Sequence, residues 1–134
     1  MLFRSARWAL AAGAAAVLAG CGESDPDAAL ARLHMPSAEY RASADAGRDW
    51  FRQHCARCHG DLGQGSRTGP PLVHKTYEPG HHPDAAFFLA VKDGVRQHHW
   101  NFGDMPPLRA EVSPEQTADI TAWVRRRQWA VGIE

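Results

Sequence analysis

Two cysteines separated by two residues, with a histidine directly after the second, stand in the stretch "CARCH", Cys55 to His59. Thiols and an imidazole at this spacing support three chemistries. The first is a dithiol that cycles with a disulfide, but redox motifs of that kind sit beside a βαβ unit, and no convincing strand pattern surrounds this one. The second is zinc, bound by both thiolates and two further ligands. The chain has 8 histidines to offer, yet zinc has no need of one immediately after the second cysteine. The third chemistry requires it. Thiols so spaced can add to the two vinyl groups of a porphyrin, which puts the next residue beneath the iron, where an imidazole nitrogen binds axially.

Such an iron takes a sixth ligand, and the sequence supplies a candidate. Beyond the first methionine the chain has Met35 and Met105, the latter in "GDMPPL", 46 residues after His59. Pro106 and Pro107 restrict the backbone there and leave no helix to join. A thioether is a soft ligand that suits low-spin haem iron and raises its potential. The competing reading, a methionine filling an apolar gap, fits a helix better than a site between Asp104 and two prolines. The two features together favour haem over zinc or a disulfide.

Helices joined by irregular loops have to position these residues. In "SADAGRDWFRQHC", Gly47, Phe51 and Cys55 recur at intervals of four and share one helix face, with Ser43 as N-cap. From Gly60 to Gly80 glycine and proline are dense, and no strand survives them. "DAAFFLAVKDG", Asp84 to Gly94, is apolar almost all round, with an aspartate cap at its start and Gly94 closing it. In "SPEQTADITAWVRRRQ", Ser113 and Gln116 form a capping-box pattern and Pro114 takes the first helical position. Ile120, Trp123 and Val124 make its apolar stripe, and Arg125–Arg127 meet the negative end of the helix dipole. About ninety residues of this kind bury little by themselves; a large apolar ligand at the centre would make good the deficit.

These motifs, in this order, resemble class I c-type cytochromes over about Ser43 to Gln128. The resemblance implies an all-α fold, about three to four helices and loops wrapped around one covalently bound haem c. Cys55 and Cys58 would then carry the thioethers, and His59 and Met105 would be the axial iron ligands. Gly47, Phe51 and Trp123 fall where the family crosses its first and last helices, with the Trp123 side chain packed over Gly47. "GPPL" matches the family's proline loop, so the Pro70 carbonyl would accept the Nδ1 proton of His59 and Leu72 would line the haem pocket. The family's activity is single-electron transfer between redox proteins, not catalysis.

The first twenty residues have a different character. Arg4 and Arg7 precede the apolar run "WALAAGAAAVLAG", which is short for a membrane span and fits a secretory signal. The junction "LAGC" resembles a bacterial lipobox, implying cleavage before Cys21 and lipid on that residue. The domain expectation is therefore a signal peptide over 1–20, a flexible tether over 21–42 with a short helical turn near Ala28–Leu33, the cytochrome domain over 43–130 and a tail over 131–134. Cleavage removes two of the 15 basic residues and none of the 15 acidic ones, for a net charge of −2. Nothing in that balance points to nucleic acid.

The expected protein is a lipid-anchored carrier of the bacterial cell envelope. It faces the periplasm as a monomer or as a subunit of a respiratory complex, with redox proteins as partners. The paired histidines keep other functions open. His98 or His99 could displace Met105 as the sixth ligand, which would lower the potential, and a haem sensor or enzyme would instead need a vacant or displaceable position where Met105 stands. His81, His82, His98 and His99 could instead bind copper or zinc, as in a metal-handling lipoprotein. Trp100 could donate its indole N–H to a haem propionate.

Overall fold

The computed structural model describes residues 25–134, and three of its helices begin at a residue whose side-chain oxygen caps them, Asp25, Ser43 and Ser113. Five α-helices and one 3₁₀ turn make up the described residues: α1 (Pro26–Arg32), α2 (Ala44–His54), α3 (Ala56–His59), the 3₁₀ turn (Lys75–Tyr77), α4 (Asp84–Asp93) and α5 (Pro114–Ala130). The Ser43 hydroxyl accepts from the Ala46 amide at the start of α2. At the start of α5 the Ser113–Gln116 capping box forms in both directions, with Pro114 in the first turn. These contacts satisfy amide groups that an uncapped helix leaves open. Helix α4 starts differently from expectation. Its N-cap is Pro83, which has no side chain to accept with, and Asp84 lies in the first turn. The Asp84 carboxylate instead accepts from Arg125 Nε at 2.7 Å.

Helices α2 and α5 meet at Gly47. A Cβ built on this residue would lie 1.9 Å from the Asp119 carbonyl oxygen, so only hydrogen lets the two backbones approach this closely. One turn further along both helices, the Phe51 and Trp123 rings pack with centroids 4.4 Å apart. Trp123 therefore faces Phe51, and the nearest atoms to a Gly47 side chain belong to the Asp119 and Ile120 backbone. Phe51, Val91, Val112, Ile120, Trp123 and Val124 form the buried apolar cluster.

Buried polar groups tie loops to this helix pair. Asp119 is buried, and its carboxylate accepts from the Ser43 amide at 2.7 Å and the Tyr40 hydroxyl at 3.0 Å. The His34 ring bonds the Val112 carbonyl at 2.9 Å. The tether expectation for 21–42 is therefore narrowed: α1 is a helix of seven residues, and His34 and Tyr40 are held on the domain because each finds a fixed acceptor there. Gln128 is fully buried, and its Nε2 donates to the Leu72 and Tyr77 carbonyls at 2.8 and 2.9 Å. Arg125 donates to Asp84, to the Tyr77 and His82 carbonyls and to Gln128. Because α5 runs on to Ala130, Arg125 sits inside the helix and clamps the 77–84 segment rather than capping an end. Arg126 reaches Asp45 at 2.9 Å, and Arg127 alone lies in the last turn.

Replacing Gly47 by alanine sets two effects of opposite sign against each other. Alanine gains about 1 kcal/mol of helix propensity, but its methyl group meets a backbone that cannot yield without separating the helices. Overpacking of this kind costs about 1–3 kcal/mol, and with main-chain atoms at 1.9 Å the upper end applies. Gly47→Ala is expected to lower stability by about 2 kcal/mol in denaturant unfolding of the haem-loaded protein.

Candidate functional site

Helix α2 ends at Cys55, which is also the first cap of α3, so the cysteine motif is a single further turn of helix. The His59 amide donates to the Cys55 carbonyl at 2.9 Å, and residues four apart lie on the same helix face. The loop that follows folds back beneath this turn. The Ser66 hydroxyl donates to the Cys58 carbonyl at 2.6 Å, and the Gly65 amide donates to the His59 carbonyl at 2.7 Å. The same loop carries Pro70 to His59, with Nδ1 2.9 Å from the Pro70 carbonyl oxygen. A carbonyl can only accept, so Nδ1 bears the proton and Nε2 keeps its lone pair for a metal. Burial lowers the pKa of His59, while the Pro70 carbonyl raises it in part; the ring is held neutral, as a ligand must be.

An apolar cavity opens beside this turn. Together with the open space at its mouth it takes in about 870 Å³ outside the protein atoms. Cys55, His59, Pro70 and Leu72 line one part of it, Phe87, Ala90 and Val91 come from α4, and Ile120 comes from α5. Cys58 is half-buried on the same turn as Cys55, and both are free thiols. Tyr77, also on the wall, has its pKa raised by burial, against which the nearby Trp100 indole acts without reaching hydrogen-bonding geometry.

The remaining wall is the 95–105 loop, which supplies Val95, Trp100, Phe102 and Met105. Two bonds close its base: the Val95 amide donates to the Met105 carbonyl at 3.0 Å and the Met105 amide to the Val95 carbonyl at 2.9 Å. This isolated antiparallel bridge fixes Met105, where the sequence had suggested only the neighbouring prolines. It depends on Gly94. With φ +76° and ψ −177°, this residue occupies a region essentially restricted to glycine, and a Cβ there would lie 2.4 Å from the Met105 carbonyl oxygen. Inside the loop, the Gln97 amide donates to Asp104 and the Gly103 amide to the Gln97 side chain.

The three chemistries open to "CARCH" can be weighed against this geometry. A redox dithiol works through a thiolate of lowered pKa, whereas burial, with Cys58 adding to it, pushes the Cys55 thiol up to about 12. Among the described residues, the one cluster of three side chains spaced to hold a metal is His81, His82 and His99; it excludes both cysteines. A porphyrin fits. The wall is apolar, Cys55 lines it, and Cys58 follows on the same helical turn. Trp100 Nε1 lies buried in that wall without a hydrogen-bond partner, a donor that a carboxylate on the ring could satisfy.

The fold also gathers residues whose proximity the sequence did not reveal. His81, His82, His98 and His99 lie together, and His98 and His99 also line the cavity. His74 stands apart, edge-on to Trp100 at 5.2 Å. Tyr77, Phe87 and Val95 were not singled out as lining residues, since nothing in their spacing distinguishes them from ordinary core or loop positions. Cys21 lies outside the described residues.

The sequence model of the cytochrome c family matches residues 44–128. No curated protein matches the chain. Among solved structures, cytochrome cL from the marine methylotrophic bacterium Methylophaga aminisulfidivorans MPT is similar at 25% identity and a TM-score of 0.46. The match covers 64% of this chain and 55% of that one, so the chain spans little more than half of that protein's length. The family match extends over well more than half of the sequence, from the first residue of α2 into the last turns of α5, and the chain therefore belongs to the cytochrome c family as a class I c-type cytochrome with one covalently bound haem c.

Proposed function

We propose that this cytochrome is a lipid-anchored one-electron carrier of the bacterial cell envelope, with haem attached through Cys55 and Cys58 and iron ligated by His59 and Met105. The observation that carries the reading is that two ligand-capable side chains, His59 and Met105, line one apolar cavity, the His59 ring held by the Pro70 carbonyl and the Met105 backbone by its bridge to Val95. The haem iron supplies reversible one-electron chemistry when bound, at a potential raised by a thioether ligand. The contribution of the chain is to hold these ligands still. Pro70 fixes the His59 ring, and the Val95 bridge fixes the Met105 backbone, so a change of charge need not be accompanied by movement of either. Phe87, Val91 and Ile120 keep water from the buried side of the cavity. A site filled on both axial positions has no room for substrate, which favours a carrier over an enzyme. Small, transient contacts with a redox donor and acceptor suit such a protein. Cys21 would bear the lipid, residues 1–20 being removed as a signal peptide.

His98 and His99 line the same cavity as Met105, so a histidine from the 95–105 loop is the second reading for the sixth ligand. Met105→Ala separates the two. With Met105 bound, the variant loses the iron–thioether charge-transfer band, its potential falls, and the reduced form takes up carbon monoxide. An intact reduced protein that already binds carbon monoxide readily would overturn the carrier reading. Gly94→Ala tests how Met105 is held. The substitution puts a side chain in a glycine-only conformation at a cost of about 1–3 kcal/mol, and the charge-transfer band is expected to weaken with the haem still attached. For the anchor, the wild type expressed in a bacterial host is expected to take up labelled fatty acid and sediment with membranes. Cys21→Ser should do neither.

A further inference from the structure

His81–His82 and His98–His99 lie in separate loops, and the ring centroids of His81, His82 and His99 are 4.6, 5.0 and 5.1 Å apart in pairs. Each of these three residues offers one ring nitrogen, and the three nitrogens lie within 4.8 Å of one another. Around a tetrahedral zinc ion with Zn–N distances of about 2.0–2.1 Å, ligand nitrogens are about 3.3 Å apart. Two of the rings are exposed, and small side-chain rotations would close the remaining distance.

We propose that His81, His82 and His99 form a second metal site, for a divalent late transition cation such as Zn²⁺ or Cu²⁺, at the edge of the haem cavity. The outer contacts are those of a metal-binding histidine. His82 Nδ1 donates to the Thr76 carbonyl at 2.8 Å, which leaves the lone pair on Nε2 and fixes the ring plane. His98 is oriented likewise by the Arg96 carbonyl at 2.9 Å, and its ring lies 4.2 Å from that of His99. Arg125, which donates to the His82 carbonyl, is itself paired with Asp84 at 2.7 Å. Imidazole sites bind copper more tightly than zinc.

A bound cation would join the turn around residue 81 to the 95–105 loop, the loop that carries Met105. Neither reading of the sixth haem ligand involves His81 or His82, so the variant of those two residues tests this site separately from the haem reading. The test is calorimetric titration of the haem-loaded protein, stripped with chelator, with ZnCl₂ and with CuCl₂. One equivalent of each is expected, copper binding more tightly. A variant carrying both His81→Gln and His82→Gln should weaken zinc binding by at least about 10-fold, with its haem absorption bands unchanged. His99→Gln alone should also weaken binding, and His74→Gln, outside the cluster, should leave the titration as it was. Equal zinc binding by the wild type and the double variant would overturn the proposal, as would a wild type that binds neither metal.

Discussion

A glycine pressed against the main chain of a neighbouring helix sets the geometry on which the haem site rests. With only hydrogen at Gly47, α2 and α5 cross at backbone contact, and Phe51 can meet Trp123 one turn on. The C-terminal end of α2 then delivers the cysteine motif. The corresponding end of α5 delivers Gln128 and Arg125, whose hydrogen bonds hold the 72–84 segment in place. Two walls of the cavity are thus located by one crossing. A larger residue at Gly47 would move both.

The third wall is fixed by a separate device. Val95 and Met105 pair through both of their backbone groups, and Gly94 gives the space for that pairing. An electron carrier benefits from such construction because ligands that do not move contribute little to reorganisation. His59, held by Pro70, and Met105, held by Val95, reach the same condition by different means: a side-chain hydrogen bond in one, a main-chain bridge in the other.

Much of this was legible in the sequence wherever the signal was local. Ser43, Ser113 and Gln116 announced helix starts through capping chemistry, and "CARCH" narrowed the cofactor because only one of three chemistries needs all three residues in that order. The covalent haem and the all-α fold followed by resemblance, and the family match agrees with both. Contacts between distant segments were not legible. Nothing near Gln128 indicates that its amide will bond Leu72, 56 residues away. Arg125 looked like a helix-end charge because the sequence did not reveal that α5 continues to Ala130. The Val95–Met105 bridge involves one residue on each side and leaves no period to detect. The histidine pairs were visible, but their convergence depends on how two loops fold. His34 and Tyr40 read as tether because their partners, Val112 and Asp119, lie more than seventy positions on.

That docking of His34 and Tyr40 limits how far the domain can travel. If lipid on Cys21 holds the chain at a bilayer, the leash ends at His34 instead of running on to Ser43. Its seven helical residues in α1 span about 10 Å, and the rest, fully stretched, add about 20 Å. The haem would then sweep a shallow shell, its centre no higher above the lipid than about 30 Å plus the radius of the domain. A partner would have to present its own redox centre within that layer.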